Sequence, residues 1–123
     1  MKFRLAVLAL AAVAACSGTD PVPSITGTWD FIGYSSDGAT ATTVSGTAVF
    51  SAAGSVTFNG TIQFPGEPLE TISETAQFTQ PGNSLTLTTP TDTSEWELTF
   101  SGNDVVLQLL NDASASRLTL RRT

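Results

Sequence analysis

The stretch TVSGTAVFSAAGSVTFNGTIQF, residues 43–64, decides the fold. In it small or apolar residues alternate with polar ones through Val44, Gly46, Ala48 and Phe50, pause at Ala52-Ala53-Gly54, and alternate again through Val56, Phe58, Gly60 and Ile62. Successive side chains on a strand point to opposite faces, so this period of two predicts two strands, each with one buried and one solvated face. With Ala52-Ala53-Gly54 as a three-residue loop and Gly54 in the left-handed position, Phe50 falls opposite Val56, Ala48 opposite Phe58 and Val44 opposite Ile62. The apolar faces agree throughout. Asn59-Gly60 offers a rival two-residue hairpin. A turn there would set Val56 opposite Gln63 and Thr57 opposite Ile62, mixing the faces, so the strand is read straight through it.

Working outward, the same alternation predicts eight strands, at about 26–34, 43–51, 55–64, 69–79, 84–89, 94–101, 104–110 and 117–122. A turn at Pro65–Pro68 pairs Ile62 with Ile72 and Phe58 with Ala76, and one at Gln80-Pro81-Gly82-Asn83 pairs Phe78 with Leu85. Thr91-Asp92 sets Leu87 opposite Trp96, Gly102-Asn103 sets Phe100 opposite Val105, and the last loop sets Leu109 opposite Leu118. Pro65, Pro68, Pro81 and Pro90 all fall between strands, where a missing N–H costs a sheet nothing. Eight short-looped strands, each apolar on one face, are satisfied most economically by an all-β, small antiparallel up-and-down barrel, because closure removes both edges. A two-sheet β-sandwich is the alternative.

Composition limits the chemistry. The chain has 123 residues, enough for one domain, with 11 acidic and 5 basic side chains, one Cys and no His. Without His there is no His-based triad and no common zinc ligand, and a single Cys makes no internal disulfide. No cofactor and no metal site is expected, and Ser and Thr, though abundant, have no evident base. The chain reads as a non-enzyme.

Lys2 and Arg4 precede the apolar run Leu5–Ala15, whose eleven residues fall short of the ~20 that span a bilayer. The run ends in Val13-Ala14-Ala15-Cys16, which resembles the lipobox of bacterial lipoproteins. The resemblance implies cleavage of residues 1–15, lipid on Cys16, a polar tether over 16–24 and a domain over 25–123. Ser17 is similar to the residue that directs such proteins to the outer membrane, so a lipid-anchored place in the cell envelope is expected. From Cys16 onward three Arg face eleven acids and no Lys remains, giving 3 − 11 = −8. So acidic a surface repels phosphate, and no nucleic acid is expected as a partner.

Gly27-Thr28-Trp29 opening the first strand and Arg121-Arg122 closing the last resemble the lipocalin-like (calycin) family, over residues 25–122. The resemblance implies that Gly27, Trp29 and Arg122 are structural, with Arg122 packing across Trp29 at the barrel floor. Parity agrees, since Arg122 shares a face with Leu118 and Leu120. It also implies a role in holding a small hydrophobic molecule. The runner-up is a non-catalytic accessory module with a filled barrel that docks on an envelope protein.

One acidic residue has inward parity amid the apolar set. Glu74 shares the face of Ile72, Ala76 and Phe78, and the pairing above puts Gly60 and then Gly46 beside it, with Phe31 next. Two glycines and a carboxylate at one level describe either a polar-tipped ligand cavity or a bent wall, with Glu74 turned outward by a bulge or reaching water at an open rim. Glu95 and Glu97, flanking Trp96, read as a solvated strand face. When the chain is made in a bacterium that processes lipoproteins, it should incorporate labelled fatty acid and enter the detergent phase. Cys16→Ser should abolish both, and an unlabelled wild-type chain would contradict the reading of Cys16.

Overall fold

A computed structural model describes residues 22–123, so the leader, Cys16 and most of the tether lie outside the described residues. The described chain is all-β: β1 (Gly27–Ser36), β2 (Ala39–Thr40), β3 (Thr43–Phe50), β4 (Ser55–Gln63), β5 (Glu70–Thr79), β6 (Ser84–Thr88), β7 (Thr93–Ser101), β8 (Asp104–Leu109) and β9 (Arg117–Arg122). All the pairings are antiparallel, neighbours in sequence are neighbours in the sheet except around the two-residue β2, and β9 returns to pair with β1. Eight strands therefore close an up-and-down barrel, and β2 adds a short hairpin to the end of β1. Asn59-Gly60 lies inside β4, as the matching of faces required.

The β3–β4 register is the expected one, with Phe50 opposite Val56, Ala48 opposite Phe58 and Val44 opposite Ile62, and Phe100 faces Val105 across β7–β8. Four other hairpins are displaced by two residues. Ile62 pairs Glu70, and Phe58 pairs Glu74, where Ile72 and Ala76 were expected. Phe78 pairs Leu87, Leu85 pairs Trp96, and Leu118 pairs Leu107. Burying one face fixes register only modulo two, because a two-residue slip keeps every side chain on its side. Loop closure decides the rest. Thus Ser84 N–H donates to the Pro81 carbonyl at 3.2 Å, and Glu67 N–H to that of Phe64 at 3.1 Å.

The inward residues of the lower half form a close-packed core. Trp29, Phe50, Leu85, Leu107, Leu120, Val56, Val105 and Ile25 are each less than 2% exposed. Burying a side chain of this size stabilises by about 1.5–3 kcal/mol. Phe50 lies edge-on to both Phe58 and Phe78, with ring centroids 5.9 and 5.1 Å away.

The ladder is continuous only round this lower belt. β1 pairs β3 over Gly27–Asp30 and no further, and β5 pairs β6 only from Gln77 to Thr79. Above those rungs, the ends of β3, β4 and β5 form a three-stranded flap with no partner strand on either side. Gly46 and Gly60 pair at its base. Gly46 has φ of 138°, and a Cβ on Gly60 would come within 2.6 Å of the Phe31 ring. Bare backbone at this rung lets the wall lean in over Phe31. Gly60→Val should therefore destabilise the domain by about 2–3 kcal/mol in urea unfolding, whereas Thr61→Val, one residue along, should change it by less than about 0.5 kcal/mol.

Candidate functional site

The two ends of the barrel differ in chemistry. The lower end is plugged by residues 23–26. Trp29 Nε1 donates to the Ile25 carbonyl at 2.8 Å, and Ile25 N–H donates to Gln80 Oε1 at 2.8 Å. Gln80 Nε2 in turn donates to the Pro23 carbonyl at 2.8 Å. Arg122 lies over Trp29 with its guanidinium carbon 4.1 Å from the ring centroid, and its Nη1 and Nη2 donate to the carbonyls of Thr26 and Ser24. Gly27 has φ of 134°, and a side chain there would meet Arg122 Nη1. The glycine thus leaves the space in which the guanidinium sits. Gly27, Trp29 and Arg122 form one structural unit that plugs this end of the barrel.

Phe31, Gly46 and Gly60 do meet at one level, but Glu74 is not among them. The two-residue displacement puts Ile72 beside Gly60 and Glu74 beside Phe58. Glu74 is exposed, because β5 has no partner strand on its β6 side before Gln77. The level is a bent wall, with the aromatic ring of Phe31 filling the space that a side chain at Gly60 would have taken, while one at Gly46 would meet the backbone of Asn59 and Gly60. The carboxylate stands at the unpaired margin of β5.

The upper end is open. Tyr34, Val44, Ile72, Leu87 and Trp96 pack on the core yet remain only partly buried. A cleft of about 550 Å³ opens there, lined by Tyr34, Ser36, Asp37, Ala39, Ile62, Phe64, Pro65, Glu67 and Glu70. Tyr34 and Phe64 meet edge to face across it, centroids 5.9 Å apart. Tyr34 reaches the interior because β1 carries a bulge: Gly33 pairs Thr119 and Phe31 pairs Leu120, leaving Ile32 without a partner and exposed. The extra residue reverses the parity of β1 beyond it.

Hydroxyls brace one side of this mouth. Ser116, buried, meets Ser36 Oγ and Ser114 Oγ at 2.9 Å each, and Tyr34 OH donates to its Oγ at 3.4 Å. Ser114 Oγ also donates to an Asp112 carboxylate oxygen, and the Ser114 carbonyl accepts from Asp37 N–H at 2.7 Å. The loop between β8 and β9 is thereby tied to the β1–β2 turn.

Charge is distributed unevenly along the barrel axis. Asp37, Glu67, Glu70, Asp92 and Asp112 lie in the loops and first strand residue of the open end. The salt bridge recorded among the described residues, Arg121 to Asp104 at 2.8 Å, is at the other end. The hydrogen bond from Arg121 holds the Asp104 carboxyl below the usual carboxylate range. Its contribution is present above the carboxylate's ordinary pKa and is lost as pH falls through the lowered one. Both partners are solvated, so that contribution is small. Among the described residues no acidic cluster has the spacing to hold a metal ion.

Tyr34, Phe64 and Ser116 were not legible as site residues. The sequence carried one cue, the glycine at position 33 inside a strand pattern, which marks a bulge.

No protein-family profile and no curated protein sequence matches the chain. Among solved structures it is similar to a de novo designed fluorescence-activating β-barrel. The TM-score is 0.50 at 16% identity, covering 80% of this chain and 94% of that one. It is also similar to the fluorescent protein UnaG, at a TM-score of 0.44 and 10% identity, over 80% of this chain and 97% of that one. The likeness to the designed barrel agrees with the closed antiparallel barrel fold described above.

Arg122→Ala removes a stacked cation and two hydrogen bonds from the floor. It should lower stability by about 1–3 kcal/mol in urea and shift Trp29 emission to the red in a Trp96→Phe background. Arg122→Lys should restore only part of the loss, since an ammonium lacks the planar fork. An unchanged unfolding curve for Arg122→Ala would remove the floor contact from the account of stability.

Proposed function

We propose that this chain is an exported, lipid-anchored, lipocalin-like protein that holds a small hydrophobic ligand in the open end of its barrel and catalyses no reaction. The observation that carries this reading is the contrast between the two halves of one barrel. The floor is packed and sealed by Trp29 and Arg122, while Tyr34, Ile62, Phe64 and Pro65 line an open cleft of about 550 Å³. A concave, mainly apolar surface with a few fixed polar groups is what small-molecule sites share. The hydroxyls of Tyr34 and Ser36, both held by Ser116, supply polar groups of the lining. The likeness to a designed barrel that is fluorescence-activating supports the fold, on which such a site can be built.

Export and anchoring rest on the Val13-Ala14-Ala15-Cys16 pattern and on the charge of −8 that follows it. A surface so acidic gains nothing from anionic headgroups, so attachment falls to lipid on Cys16. An outer-membrane address belongs to the same proposal, through Ser17.

The test is binding of the uncharged fluorophore N-phenyl-1-naphthylamine. The domain should enhance its emission saturably with one site per chain. Phe64→Asn, which removes an aromatic wall of the cleft just past the end of β4, should weaken binding roughly 10-fold while far-ultraviolet circular dichroism stays the same. Absence of enhancement by the wild-type domain would favour the accessory module that docks on an envelope protein.

A further inference from the structure

The cleft at the open end carries more information than its apolar lining. We infer that its ligand is a cationic amphiphile, an apolar body bearing an ammonium or amidinium head. This rests on the small-ligand reading above and names the class of ligand.

Three features of the cleft point the same way. Its walls include the aromatic pair Tyr34 and Phe64, whose faces and edges suit an alkyl or aryl body and whose π-faces attract a cation. Asp37, Glu67 and Glu70 line the same cleft, and none of them forms a salt bridge among the described residues. No basic side chain lines it. The cation of this end, Arg117, is on the outer parity of β9, beside Gln108, whose Oε1 accepts from its Nε at 3.0 Å.

The surroundings extend the field. A second cleft at this end, of about 580 Å³, is lined by Asp92, Glu95 and Asp112, and Glu74 stands at the unpaired margin of β5. Arg121 and Arg122 lie at the far end, engaged with Asp104 and with Trp29. A concave site rimmed by one sign of charge concentrates counter-ions of the other sign. A fatty acid or other anionic amphiphile would bring its head into this rim with no cation to receive it. A bare divalent cation is equally unsuited, because the carboxylates are too dispersed to coordinate one. An extended organic cation, which pairs through space and stacks on aromatic rings, needs no such convergence.

The experiment compares three probes of one chain length, decyltrimethylammonium, decanol and decyl sulfate, each below its micelle threshold. They are titrated into the folded domain at low salt with displacement of N-phenyl-1-naphthylamine as the readout. The ammonium should bind roughly 10-fold more tightly than decanol and the sulfate more weakly than both. The preference should shrink in 0.5 M salt, where the screening length is only about 4–5 Å. In D37N/E67Q/E70Q, whose substituted side chains are solvated, the preference should vanish while decanol affinity is retained. Equal binding of the three probes, or a preference that survives in the triple variant, would overturn the cationic class and leave the pocket standing. Binding of none of them would overturn the pocket as well.

Discussion

Everything in this domain depends on the pairing of β9 with β1. The six rungs from Arg117–Ser35 to Arg122–Trp29 join residues 82 to 93 positions apart and turn an open meander into a ring. Without them two long edges would be exposed, each beside a sheet face that is apolar on one side. The same closure sets the floor, because it brings the Arg122 guanidinium over the Trp29 ring and within reach of the carbonyls of residues 24 and 26. Closure and floor are therefore one cooperative unit, bought at the entropy of a very long loop.

A ring tight enough to be sealed below does not remain tight above. At the Gly46–Gly60 rung the wall leans over Phe31, and beyond it β3, β4 and β5 leave the ladder on both sides. The bulge at Ile32 then turns Tyr34 inward, where it meets Phe64 of the leaning wall. Open mouth and aromatic pair share a cause, in that both follow from local departures from ideal pairing. The electrostatics follow the same axis, with arginines engaged at the sealed end and unpaired carboxylates in the loops of the open one.

The strand set was legible almost to the residue, since a period of two is a strong signal when one face must be buried, and β3–β4 shows it most clearly. Parity along the sheet was legible too. The displaced hairpins show the limit of that signal, because Ile62 gains as much by parity from Glu70's position as from Ile72's, and a two-residue slip leaves the faces intact. That slip is why Glu74, expected beside Gly60, stands beside Phe58, and the missing β6 partner before Gln77 leaves it exposed.

By itself, the sequence determined the inward set up to the bulge of β1 and that eight strands can close, because alternation and chain order are properties of the chain alone, while the meeting of Trp29 and Arg122 was what the family resemblance implied. The tertiary structure alone decided where the barrel opens and what lines the opening. Tyr34, Ser36, Asp37, Phe64 and Ser116 come from loops and strand ends far apart in sequence. They are brought together by a bulge and by the loss of pairing above two rungs, and neither leaves more than a lone glycine in the sequence to mark it.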